Sequence, residues 1–208
     1  MASDSGDTDF EDAVRLTTPL SETTVRGLHA GDLVVIDGII WGIRDATLIH
    51  IFDRDREPAA DLRGSVLLHV APSVRKRSDG GYDPVSVGTT TSSRMDRFTR
   101  GCIEELGARA IVGKGGLSAN SLAELQELGG VYMTVTGGAA SVETLQVEEI
   151  EEVIFEDLMP ECLWKFRVKD FGPLVVTMDS HGNSLYQDVR QKAERNVKDA
   201  YARLNLGE

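Results

Sequence analysis

Short apolar runs in the middle of this chain empty into loops of glycine and hydroxyl residues, and helical patterns alternate with them. Ala110 to Val112 runs into Gly113-Lys114-Gly115-Gly116, and a helix that stops at Gly129-Gly130 follows. Val131 to Val135 runs into Gly137-Gly138. Upstream, Ser65 to Val70 is a strand stopped by Pro72, and the polar run Gly88 to Ser93 leads into a helix over Met95 to Leu106, ended by Gly107. A strand, glycine loop, helix alternation of this kind predicts a partly parallel α/β layer.

The flanks add strands. Leu33 to Asp37 (LVVID) reads as buried, and Gly38 to Gly42 as a second extended piece. Arg44 to Phe52 suits a short helix. Arg75 to Asp83 is a charged hairpin or loop. Ser121 and Glu124 match a capping box at a helix start. Val147 to Phe155 alternates as a strand with one wet face, and Phe166 to Val168 and Leu174 to Met178 are two more. Asp179 to Asn183 is a turn. Leu185, Val189, Ala193, Val197 and Tyr201 recur every fourth residue, one apolar stripe on a terminal helix. The expected fold is mixed α/β in one domain over residues 13–208, after a disordered acidic tail over residues 1–12.

Charge and cysteine usage narrow the function. The net charge is −12, which argues against a nucleic-acid or anionic-membrane partner. An anionic substrate then requires a local cationic cluster. With six Lys against sixteen Arg, the surface suits a high-salt cytoplasm or an ordinary acidic protein. No apolar run approaches the ~20 residues of a membrane span, and the acidic start lacks signal-peptide character, so a cytoplasmic location is expected. Two distant cysteines, Cys102 and Cys162, cannot form a four-cysteine metal site, and each reads as a small buried hydrophobe.

Three features carry chemistry. Gly88 to Arg94 packs five hydroxyls and a guanidinium into seven residues at a helix entrance, a place suited to a carboxylate or phosphate. The plain alternative is an N-cap, with Thr91 capping and Arg94 in solvent. The Gly113–Gly116 loop can form an anion nest with Lys114 as its charge. It lacks the GxxxxGK[ST] order, and no GxGxxG stands elsewhere, which weakens a nucleotide-binding reading. At Arg44-Asp45 the carboxylate can orient the guanidinium towards a ligand, or the two form a surface ion pair. His29, His50, His69 and His181 share no ligand spacing; His69 alone lies near a candidate site, and His181 is expected in solvent. Glu148, Glu149, Glu151 and Glu152 read as a solvated strand face.

The run TTTSSRMD, the GKGG loop, the VTGGAA turn, and QVEEIEEV followed by LWKFRVKDFGPLVVTMDSHGN together resemble the β subunit of class I fumarases and L-tartrate dehydratases. The resemblance covers roughly Leu16 to Leu185. It implies a swivelling β/β/α domain whose α-type partner carries a [4Fe–4S] cluster, with the active site between the two. It further implies carboxylate binding by Arg44 and Arg94, Lys114 in the same pocket, and Thr90 in proton transfer. The open iron of the partner would act as a Lewis acid on the hydroxyl group. The reaction implied is hydration or dehydration of fumarate/malate, or dehydration of tartrate to oxaloacetate. The sequence departs from the family pattern at Thr89 (usually Pro), at Leu48 (usually His, with His50 two residues on), at HVAP for HAGP and at FEDLM for FEDLGM. A competing reading is a dicarboxylate-binding or regulatory module without catalysis, which would need the two arginines but not the Thr90 hydroxyl.

Overall fold

A computed structural model of the chain describes residues 12–135 and 140–204. The expected tail up to residue 11 and the Gly137-Gly138 turn lie outside the described residues. In chain order the elements are β1 (Val14–Thr17), α1 (Glu22–Arg26), β2 (Leu33–Ile43), α2 (Asp45–Leu48) continuing into a π turn (Ile49–Asp53), β3 (Val66–His69), β4 (Ser73–Lys76) and β5 (Tyr82–Ser86). Then come a 3₁₀ stretch (Ser92–Phe98) running into α3 (Thr99–Glu104), β6 (Ala110–Gly113), α4 (Ala119–Leu128), β7 (Val131–Thr134), α5 (Ala140–Leu145), β8 (Val147–Ile154), β9 (Leu163–Met178) and α6 (Leu185–Arg203).

The parallel layer is present: β2, β3, β6 and β7 pair in parallel in that order, with β1 parallel to the first half of β2. β9 runs antiparallel to β7 at one end and to β2 along most of its length, so β2, β3, β6, β7 and β9 close into a barrel-like ring. β8 adds outside on β9. Side chains alternate across the pleat into two cores. Val66, Leu68, Ala110 and Val112 join Ile36, Ile40, Trp164 and Phe166 on one side. Leu67 and Ile111 join Leu48, Met95, Phe98, Ile103 and Leu125 on the other, under the helices. Burial on both faces is why β3 and β6 read as continuous apolar runs rather than as alternating ones. Each fully buried Leu or Ile contributes roughly 1.5–3 kcal/mol.

Several expectations are corrected. Leu33 to Asp37 and Gly38 to Gly42 are one strand, because Gly38 takes φ +107°, closed to most side chains, and the pairing with β9 shifts register there without stopping. Phe166–Val168 and Leu174–Met178 likewise fuse into β9. The expected helix from Met95 to Leu106 begins earlier, as 3₁₀, and turns α only at Thr99. The capping box is displaced: Ser118, not Ser121, caps α4, its hydroxyl accepting from the Ser121 N–H. Ser121 instead turns its own hydroxyl to Asp96, at 2.8 Å, and to Thr99. The apolar stripe of α6 does not pack on this chain beyond the first turn; Val189, Val197 and Tyr201 are exposed. The hairpin β4–β5 stands as a separate two-stranded sheet. Among the described residues no helix is long and apolar enough to cross a membrane.

Candidate active site

β2, β3 and β6 all deliver their carboxyl ends to one edge, the place where open parallel sheets bind ligands. β2 ends into Arg44, β3 ends at His69, and β6 ends at Gly113 and passes into Lys114. The threonine run is stitched across these ends by backbone bonds. Thr90 N–H donates to the His69 carbonyl (2.8 Å), Lys114 N–H to the Thr90 carbonyl (3.3 Å), and Ser92 N–H to the Lys114 carbonyl (3.0 Å). Thr90 and Lys114, far apart in sequence, are thereby held as neighbours.

The side chains at this edge form one connected group. Arg94 Nη2 donates to Thr90 Oγ1 at 3.1 Å and stands 3.3 Å from Asp45 Oδ2. Asp45 also meets Arg44 Nε at 3.3 Å, so a single carboxylate serves two guanidiniums. Burial works against the Asp45 charge, yet the hydrogen bond and charge of Arg94, helped by Arg44, hold its carboxyl below the usual value. Glu161 completes the frame. Its Oε1 lies 3.4 Å from Arg44 Nε, and its Oε2 accepts from Ala46 N–H at 2.7 Å, fixing the first turn of α2 and the arginine that precedes it. Lys114 is exposed and forms no ion pair among the described residues. Arg44, Thr90, Arg94 and Lys114 therefore occupy one edge, with Asp45 shared rather than reserved for Arg44.

Beneath the loop lies a polar floor. His69 Nδ1 is 2.9 Å from Ser92 Oγ, and the Tyr132 hydroxyl is 2.8 Å from the same Oγ. The Gly115 carbonyl accepts from Tyr186 at 2.6 Å and lies 2.9 Å from the Tyr132 hydroxyl. Burial pushes the His69 imidazole down to about 4, against the pull of Asp45, so the ring is neutral at physiological pH and serves as a fixed hydrogen-bonding post. Gly113 makes the floor possible, since a Cβ there would stand 1.9 Å from Ser92 Oγ. Thr91 does precede the 3₁₀ stretch, but its hydroxyl caps no backbone N–H. Leu48 is fully buried, while His50 packs edge-on against Phe155 at 4.7 Å, so His50 does not take up a position among the site residues. Concavities lie beside Ile51 and Leu62 and beside Thr18 and Trp41, away from these residues; the candidate edge is an open shelf, with Lys114 exposed and the Arg94 side chain 45% exposed.

Sequence reasoning did not find Glu161, Tyr132 or the role of Ser92. Ser92 belonged to a run already singled out, but nothing local distinguishes a floor hydroxyl from a solvent one. Glu161 stands 115 residues from Ala46, and no periodicity or spacing links them. The acidic run behaves as expected at Glu148, Glu149 and Glu152, which are exposed, whereas Glu151 pairs with Lys165 and Arg167. His181 is exposed and stacks on His29.

The chain matches known proteins over most of its length. The family model described as the fumarase C-terminus matches residues 2–189. The chain is 40% identical over 171 residues to the L(+)-tartrate dehydratase subunit beta of Escherichia coli (strain K12), covering 82% of this chain and 85% of that one. It is also 40% identical over 181 residues to a Geobacillus stearothermophilus protein named "Putative fumarate hydratase class I". That match covers 86% of this chain but only 35% of the longer relative.

Proposed function

Since the chain belongs to the fumarase C-terminus family, we propose that it is the β-type subunit of a [4Fe–4S]-dependent hydro-lyase acting on a four-carbon dicarboxylate, fumarate/malate first and tartrate second. The observation that carries this reading is the connected group of Arg44, Asp45, Arg94 and Thr90 beside Lys114 on one strand edge. Arg44 and Arg94 bind the substrate carboxylates and fix which carbon faces the base. Lys114 and the N–H groups of its glycine loop stabilise the carboxylate charge that grows as the C–H bond breaks. In the dehydration direction Thr90 Oγ1 takes that proton. A threonine hydroxyl is a weak base, and the hydrogen bond donated by Arg94 favours its deprotonated form.

The cluster does not fit this chain. Cys102 and Cys162 sit in different cores, and burial pushes their thiols up to about 12 and about 11. Among the described residues no group of three His, Cys, Asp or Glu side chains could hold a metal. We therefore assign the cluster to an α-type partner, which would also close the open shelf and exclude water. In this reading the chain is the swivelling β/β/α domain of a cytoplasmic hetero-oligomer.

The test is anaerobic co-expression with an α-type chain, cluster reconstitution, and a hydratase screen over fumarate, malate and tartrate. Turnover is expected only when both chains are present. A stoichiometric [4Fe–4S] spectrum with turnover from the isolated chain would refute the partner assignment. A cluster-loaded assembly that binds dicarboxylates without converting them would favour the non-catalytic binding module.

A further inference from the structure

Glu143 on α5 is a buried acidic side chain that the reading above leaves without a task; it is 2% exposed. The backbone N–H of Thr89, the residue next to Thr90, and the Lys114 ammonium both favour its ionised form. Its Oε2 is buried and has no hydrogen-bond partner among the described residues. The neighbouring Thr144 hydroxyl accepts from Val87 N–H at 2.7 Å, so α5 is tied to the segment that leads into the threonine run. Among the described residues, the charged side chain acting on Glu143 is Lys114. Ionisable groups on the elements packed against α5 are engaged elsewhere. On β5, Asp83 pairs with Arg77, and Tyr82 packs against Trp164 and Lys76. On β8, Glu151 pairs with Lys165 and Arg167, and Glu148, Glu149 and Glu152 are exposed.

We propose that Glu143 is a positioning residue that couples dicarboxylate binding to the uptake of one proton. As a neutral acid it leaves the Lys114 charge to the substrate; as a carboxylate it takes that charge for itself. The inference rests on the site reading above. A buried carboxylate with an unpartnered oxygen is costly, and burial pushes this carboxyl up to about 7 against the pull of Thr89 and Lys114. A substrate carboxylate arriving at Lys114 removes the one cation that favours Glu143 ionised and adds a like charge. The proton, drawn from solvent, is then held more tightly on Glu143. By reciprocity, losing it weakens substrate binding. The sign follows: KM is flat below about pH 6 and rises as pH passes through about 7. A coupling of about half to one pKa unit makes that rise roughly three- to tenfold.

Two measurements decide it. On the full chain, ¹³C-labelled glutamate carboxyls are titrated by NMR with and without fumarate as the probe, the Glu143 signal being identified by its loss in E143Q. It is expected to titrate well above the ordinary carboxylate range, and higher still with fumarate. On the assembled enzyme, KM for fumarate is followed against pH for wild type, E143Q and E143L. E143Q is expected to flatten the profile and, by keeping a polar amide in that place, to retain a higher kcat than E143L. A Glu143 signal in the ordinary range, one that fumarate does not move, or equal KM slopes in wild type and E143Q overturns the proposal. An assembly that converts no dicarboxylate, while fumarate still moves the Glu143 signal, counts against the hydro-lyase reading and leaves the coupling standing.

Discussion

Arg94 and Arg100 lie on the same helical stretch, and their surroundings are opposites. Arg100 is ringed by Glu104, Glu124 and Glu127. Among the described residues Arg94 has one carboxylate, Asp45, which it shares with Arg44, and its other partner is the Thr90 hydroxyl. Around Arg100 acid outnumbers base. At the strand edge Arg44, Arg94 and Lys114 outnumber Asp45 and Glu161. On a chain of net charge −12, this edge is a local excess of positive charge. Net charge governs solubility and long-range steering, while local imbalance decides where an anion settles.

That contrast can be broken at its chemical centre. Thr90→Val keeps the volume and deletes the hydroxyl, and kcat of the assembled enzyme is expected to fall about 10²–10⁴-fold with KM little changed. Cluster content is measured alongside, so that a lost cofactor is not mistaken for lost chemistry. A variant within a few-fold of wild-type kcat would remove Thr90 from the mechanism and send the search for the base to the partner.

The two arginines supply a direct test. Arg94→Ala deletes a charge-assisted bond worth ~1.5–3 kcal/mol, so KM should rise ~10–100-fold. Arg100→Ala should leave KM where it was and change stability by no more than about 1 kcal/mol, as exposed ion pairs do. Steady-state kinetics and urea melts on both variants suffice. Equal effects on KM would mean that local imbalance is not what selects the edge.

The smallest effect sharpens the same comparison at two helix starts. Ser118 uses its hydroxyl to cap α4, whereas Thr91 at the site caps nothing with its own. Ser118→Ala should cost about 1 kcal/mol in denaturant unfolding, and Thr91→Val a few tenths at most. If Thr91→Val costs as much as Ser118→Ala, the threonine run is a structural cap after all.

What could be read in advance was whatever the chain writes locally. Glycine and charge punctuation located the β4–β5 hairpin, the strand at Ala110 and the end of α4 at Gly129. The motif run placed Arg44, Thr90, Arg94 and Lys114, which the fold gathers on one edge. The errors lie where distant partners overrule local preference. Ser121 matches a helix start, but Asp96 draws its hydroxyl inward and the start moves back to Ser118. Gly38 reads as a break, yet β9 pairs on both sides of it and the strand continues. Val189 and Val197 have the spacing of a core stripe, but both stand exposed on this chain. Glu161 and Glu143 carry no local signature, because each acquires its meaning from a backbone N–H or a cation brought in by the fold.

The ring closed by β9 also sets a timetable for synthesis. Arg44 emerges from the ribosome early, but the carboxylate that frames it, Glu161, follows 115 residues after Ala46, and β9 follows that. Pairings this distant form slowly. Until they form, β2 offers one unpaired edge and Arg44 lacks the Glu161 half of its frame. Nascent chains halted before β9 should therefore be sticky and anion-blind, and the shelf matures only when nearly the whole domain has been made.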